Sequence, residues 1–257
     1  MTEVWWVVGA AGVLGLLLGS FLNVCALRWP EDQSVVRPRS RCPGCHAPVG
    51  WYDNLPVVSY LFLRGRCRRC REPISIQYPL VEMATGLIWA GLTLYYGGVE
   101  LEAVRGALFL TLLLGIALSD ARFYIIPDQF SVGGAVLGLA FAPLVADPSF
   151  VQALVGAVFG FVLLWLVAWA GERVFGQEAM GGGDIKMMAM VGAFLGPAGV
   201  VLTVFLGSLV GVLIFGPISY RTGKLVPFGI FLAVGAAVTY GWGDPLVDWY
   251  MGWATGG

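Results

Sequence analysis

Charge is scarce in this sequence. Only 12% of its 257 residues are Asp, Glu, Lys or Arg, against about 25% in a soluble globular domain. With 58% hydrophobic residues and a mean hydropathy of +0.80, that shortage excludes the soluble class and marks a polytopic membrane protein. The formal net charge of −1 says little, because where the charges fall matters more than their sum. A basic stretch ahead of the first apolar run is also missing. Met1-Thr2-Glu3 precedes Val4, and Arg28 lies at the far end of the run. The run therefore lacks the front of a cleavable signal and reads as a retained span. No internal repeat is visible either, and a membrane transporter passing ions over its buried carboxylates would be expected to show one.

What the chain does have is apolar runs. Val4–Leu27 is long enough to cross a bilayer, and Arg28-Trp29-Pro30 ends it. Further runs follow at Tyr78–Tyr96, Ala103–Ser119, Phe130–Val145, Val151–Ala170, Ile185–Leu195, Val200–Phe215 and Val226–Trp242. Gly196-Pro197 separates the sixth from the seventh. The expected fold is an all-α polytopic membrane protein of about eight transmembrane helices. Residues 29–77 are a different material: polar, proline-containing and rich in arginine.

Basic residues orient the spans. If the chain starts outside and crosses at every run, the inside links hold the loop from Arg28 to Arg71, then Arg122, Arg173, Lys186, Arg221 and Lys224. That is fourteen of the fifteen basic residues, with Arg105 the exception. Asp120 and Asp184 then lie at the same, cytoplasmic, end.

Those two carboxylates are the centre of interest. Met180-Gly181-Gly182-Gly183-Asp184-Ile185-Lys186 sets an acid at the mouth of an apolar run, behind three glycines that let the backbone pack closely. An ionisable residue at the membrane edge is a functional candidate; the plainer reading is a helix N-cap. Asp120, 64 positions earlier, is the candidate partner. Two facing carboxylates can hydrolyse a peptide with neither metal nor covalent intermediate. The ionised one takes a proton from water, and the protonated one donates to the scissile carbonyl oxygen. Two unrelated interfacial aspartates would give the same pattern.

Other polar residues have simpler readings. Asp128 follows Pro127 and reads as a first-turn acid of the fourth helix rather than a catalytic one. Lys186 either anchors its helix to headgroups or biases Asp184 toward ionisation. Glu82 and Asn23 lie inside apolar runs, are costly in lipid and must face protein or water. Asn23 reads as a helix–helix hydrogen bond, and Glu82 as that or as a contact for a basic peptide.

Four of the five cysteines fall in the polar loop. Cys42-Pro-Gly-Cys45 and Cys67-Arg-Arg-Cys70 are separated by 21 residues, the pattern of a closed four-thiolate zinc site. Two disulfides are the alternative, disfavoured by the reducing side on which charge places the loop. A closed site leaves no position for water, so its role is structural. His46 reads as a bystander and Cys25 as a small buried hydrophobe.

At this point the residues resemble a known family, the type IV prepilin peptidases, membrane aspartic proteases of the GxGD type. Gly19-Ser20-Phe21-Leu22-Asn23-Val24 with Arg28 and Pro30 resembles the opening motif. Trp51-Tyr52-Asp53-Asn54 with Pro56, Ser59-Tyr60 and Leu63-Arg64-Gly65 resembles the loop motif, continued by Ile74-Ser75, Tyr78-Pro79, Glu82 and Thr85-Gly86. Asp120 with Ile126-Pro127-Asp128, and Gly181-Gly182-Gly183-Asp184 with Lys186, resemble the two catalytic motifs, and Pro227-Phe228-Gly229 the closing one. The departures are Met187, where the family usually has Leu, and Ile230, where it usually has Pro; neither is expected to touch the chemistry.

The resemblance implies residues 1–28 as the first transmembrane helix, 29–77 as a cytoplasmic zinc domain and 78–257 as a transmembrane peptidase domain. Asp120 and Asp184 would be catalytic, supported by Gly181, Gly183, Lys186, Asp128 and Glu82. Substrates would be prepilins and pseudopilins, cut after a Gly at the cytoplasmic face of the bacterial inner membrane. Partners would be these substrates and membrane lipid, not nucleic acid. A second activity is implied, methylation of the new N-terminus from S-adenosylmethionine. The loop holds no strand–GxGxxG–helix unit for that cofactor. A non-catalytic scaffold docking through its zinc loop is a further alternative.

Overall fold

The structure, a computed structural model, describes residues 2–176, 180–222 and 227–255. Glu178, Lys224 and Val226, the start of the last expected span, lie outside the described residues. Among the described residues there is no strand, only two isolated bridges that pair Arg41 with Pro48 and Arg66 with Pro73. The helices in order are α1 (Thr2–Arg28), α2 (Val58–Phe62), α3 (Gln77–Tyr95), α4 (Leu101–Phe123), α5 (Asp128–Phe141), α6 (Phe150–Phe175), α7 (Gly182–Thr222) and α8 (Phe228–Thr255).

Among the described residues, four stretches are long and apolar enough to cross a membrane: Val4–Glu31, Leu101–Phe123, Phe150–Val174 and Gly182–Ile214. The sixth and seventh expected runs are two helical stretches that meet at a kink, where the sequence places the break. They are joined in α7, whose only non-helical residue is Gly196, with φ 68° and ψ −176°. That backbone region is open in practice only to glycine. The stretch before the kink is 14 residues, about 21 Å long, short of the ~30 Å hydrocarbon core. α5, also 14 residues, is equally short.

The chain divides into two compact units, Met1–Thr111 and Leu112–Gly257. In the first, α1 packs along α3. Asn23 of α1 is fully buried and donates to the Tyr78 carbonyl of α3 at 3.2 Å, the interhelical hydrogen bond its sequence position predicts. Cys25 is buried beside it in sequence. Between these helices the polar segment is irregular, with Asp32, His46, Val57, Arg64 and Arg71 all at positive φ.

In the second unit α7 is central and packs against α5, α6 and α8. Its first half is apolar on every side. Met187, Met188, Met190, Val191 and Ala193 are fully buried, as befits a helix surrounded by others. α6 presents Leu154, Val155, Val158 and Val162 outward. A capping box fixes its start: the Gln152 amide donates to Ser149 Oγ, and the Ser149 amide to Gln152 Oε1.

Candidate active site and tetracysteine centre

Three helix ends meet around Asp120. The residue lies in the last turn of α4 and is 5% exposed. Tyr124, at φ 56°, ends that helix, and its amide donates to the Asp120 carbonyl at 3.0 Å. The extended Ile125-Ile126-Pro127 link leads to α5, which Asp128 begins. α7 opens at Gly182, so Asp184 sits in its first turn. Its own amide donates to the Gly181 carbonyl at 3.2 Å. The N-cap reading of Asp184 fails: Oδ1 is buried and has no hydrogen-bond partner among the described residues. Asp120 and Asp184 face one space. Together they line a cavity of about 200 Å³ with Tyr124, Ile125, Ile126 and Gly181–Gly183.

The third helix end is α8. Asp120 Oδ2 accepts a hydrogen bond from the Ile230 amide at 3.1 Å, with the Gly229 amide beside it. This corrects the expectation that Ile230 stands clear of the chemistry. A side-chain reading of the sequence compared residue types at this position, whereas the contact is made by the main chain. Gly229 packs tightly against the site: a Cβ there would lie 2.9 Å from Asp120 Oδ2 and 2.8 Å from Ile126 Cδ1, so one of those side chains would have to move. Gly183 is similarly confined, with Ile126 Cβ at 2.9 Å, whereas a Cβ on Gly181 would meet only Asp184 Oδ2 at 3.7 Å.

Of the remaining expected site residues, Lys186 is engaged with Asp128. Its Nζ donates to both carboxylate oxygens, at 2.7 and 2.9 Å. The pair is solvent-exposed, so it contributes little to stability, but it orients the starts of α5 and α7. Glu82 lies in the first unit. It is buried, and its Oε2 accepts from the Val57 amide at 2.7 Å. Val57 is held at φ 60°, unusual for a β-branched residue, so Glu82 fixes a strained corner of the polar segment to α3.

The four loop cysteines converge. The Sγ atoms of Cys42, Cys45, Cys67 and Cys70 lie within 4.8 Å of one another, all as free thiols. Cys42 and Cys70 are 3.6 Å apart, against about 3.8 Å between sulfurs on a tetrahedral zinc with 2.3 Å bonds. Each CxxC makes the same knuckle. Cys42 donates to Ala47 and accepts from His46; Cys67 donates to Glu72 and accepts from Arg71. His46 and Arg71 occupy the equivalent left-handed positions, so His46 shapes the turn.

The thiols are unequal. Amides of Cys70 and Arg69 pull the Cys67 thiol down to about 6. The Glu72 amide favours the Cys70 thiolate, but burial and the neighbouring sulfurs push that thiol up to about 12. Four sulfurs this close share negative charge only with a cation among them, so the donor set fits a structural metal ion. Arg68 ties the second knuckle to Trp51-Tyr52-Asp53-Asn54. It donates from two nitrogens to Asp53, the shortest contact being 2.6 Å, and stacks over the Tyr52 ring.

An all-helical chain with several membrane-length helices, two carboxylates on the ends of apolar helices and a separate four-thiolate cluster defines a polytopic membrane protein with a paired-carboxylate site. Residues 13–96 match the Bacterial Peptidase A24 N-terminal domain, and residues 107–216 match the Type IV leader peptidase family. The chain is 35% identical over 277 residues to the Prepilin leader peptidase/N-methyltransferase of Aeromonas hydrophila, covering 96% of this chain and 94% of that one. It is 36% identical over 270 residues to the protein of the same name from Pseudomonas aeruginosa, covering 94% and 92%. A third of that name, from Myxococcus xanthus, is 41% identical over 225 residues, covering 88% of this chain and 63% of that one. No solved structure matches. The chain belongs to the type IV leader peptidase family.

Proposed function

We propose that this protein is a membrane aspartic endopeptidase that removes the leader of prepilins and pseudopilins and methylates the N-terminus it exposes. The observation that carries the peptidase reading is the shared cleft: Asp120 and Asp184, from helices far apart in sequence, line one cavity. A water between them loses its proton to one carboxylate as it attacks the scissile carbonyl, and the other donates to the carbonyl oxygen. The proton then passes to the leaving amine as the C–N bond breaks. Gly181, Gly182 and Gly183 keep side-chain bulk out of the space a peptide must enter.

The cut falls after a Gly, where a basic leader meets an apolar stem, at the cytoplasmic face of the bacterial inner membrane. The charge pattern supports eight crossings, and the Gly196 kink supports α7 as two of them. Cys42, Cys45, Cys67 and Cys70 hold zinc, which braces a polar segment with little core of its own. Prepilins, pseudopilins and lipid are the partners. The methyl transfer rests on the relatives' names, and S-adenosylmethionine would supply the methyl group.

The test is the purified chain incubated with a prepilin and read by mass. Loss of the leader is expected, with a further gain of one methyl group when S-adenosylmethionine is added. Asp120→Asn and Asp184→Asn should each abolish cleavage while the protein still inserts. Cleavage retained in either variant removes that residue from the dyad.

A further inference from the structure

The two aspartates are not equivalent in their surroundings. Asp120 Oδ2 faces main-chain donors, the Ile230 amide at 3.1 Å and the Gly229 amide beside it. Both belong to the first turn of α8, where amides have no intrahelical partner and the helix dipole favours negative charge. Asp184 Oδ1 is buried with no donor among the described residues. A carboxylate is held in its charged form by amides directed at it, whereas a buried oxygen without a donor is a poor seat for charge.

We infer that Asp120 is the ionised member of the pair, the one that takes the proton from water, and that Ile230 is the positioning residue whose amide keeps it so. Asp184 is then the member that holds the proton and donates it to the scissile carbonyl oxygen. This assignment rests on the reading of the pair as the catalytic dyad.

Other ionisable groups around Asp120 do not supply the asymmetry. Asp184 faces it from α7, and Tyr124 from the link after α4. Lys186 is held by Asp128. The first turn of α8, Phe228-Gly229-Ile230-Phe231, contributes no ionisable side chain. What distinguishes the two carboxylates is therefore the main chain of α8. Its effect can be removed without changing any charge. Proline at position 230 lacks the amide hydrogen and is tolerated in the first turn of a helix.

The experiment is the pH profile of kcat/KM for the full-length protein in detergent, as the natural chain and as Ile230→Pro. The substrate is a synthetic peptide with a basic leader, a Gly–Phe step and an apolar stem. In the proposed scheme the acid limb reports protonation of Asp120 and the alkaline limb loss of the proton from Asp184. Losing the amide should raise the acid limb by about one pH unit and leave the alkaline limb in place. An unmoved acid limb, or a shift confined to the alkaline limb, overturns the assignment.

Infrared spectra of the full chain give a second readout that does not need the proline variant to fold. A protonated-carboxyl band should disappear in Asp184→Asn and persist in Asp120→Asn; the reverse overturns the assignment. Should either asparagine variant still cleave, the dyad itself is wrong and the assignment falls with it. An assignment that fails alone leaves both variants inactive.

Discussion

Replacing Gly229 by alanine puts a methyl group where the cleft has no room. Its Cβ would sit 2.8 Å from Ile126 Cδ1 and 2.9 Å from Asp120 Oδ2, while carbons rest about 3.5–4.0 Å apart. Relief demands a movement of roughly 0.7 Å or more on the Ile126 side. On the other side Asp120 must shift, and the 3.1 Å bond from Ile230 has little slack before it passes about 3.5 Å and ceases to count. Overpacking of this kind costs about 1–3 kcal/mol of stability, less than a whole domain's margin of about 5–15 kcal/mol, so the variant should fold. A catalytic group displaced by about an ångström loses on the order of 100-fold in rate, or about 2.7 kcal/mol of barrier. The assay is steady-state cleavage of the leader peptide with a thermal melt alongside. The kcat should fall by about that factor with KM changed far less. Gly91→Ala in α3, where a Cβ meets nothing within 4 Å, should leave kcat unchanged. A Gly229→Ala protein that cleaves at the natural rate would refute the close approach of α8 to Asp120.

Further expectations concern the supporting structure. Purified protein should carry about one zinc per chain, and Cys42→Ser or a strong chelator should release it and expose residues 29–77 to protease; an unchanged digest would refute a structural metal. Glu82→Ala leaves the half-buried Val57 amide without its 2.7 Å acceptor, at a cost of about 1 kcal/mol; faster cleavage near Val57 in limited proteolysis checks it. Gly196→Ala places a side chain at φ 68° and should lower the melting temperature by the equivalent of about 1–3 kcal/mol, with an unchanged melt counting against the kink.

How far the site was legible depends on which atoms carry it. Asp120 and Asp184 could be paired from sequence because hydropathy and arginine placement put both at one end of the apolar runs. Asp128 was read as a first-turn acid and does begin α5. Lys186 could not be resolved, since its choice of Asp128 depends on how α5 and α7 abut. Ile230 is not legible at that level, because the sequence displays side chains and its contribution is a peptide N–H aimed by the fold. The cysteine pattern is legible through spacing alone, and a second signal lies beside it. Arg-Cys-x-x-Cys-x-x-Pro occurs twice, at Arg41–Pro48 and Arg66–Pro73, and the two bridges join the ends of those repeats. The break at Gly196-Pro197 was legible too, because Gly196 alone leaves helical geometry there, but whether a kink also ends a crossing depends on lengths that the hydropathy pattern leaves loose.

The bond from Ile230 to Asp120 joins residues 110 positions apart, and it has a consequence for biogenesis. While the ribosome is still making α8, both aspartates already exist but the donor that seats one of them does not. A growing chain, or one truncated before α8, carries its acids without their finished setting. The surroundings of Asp120 are thereby complete only once the last helix has been made and has docked.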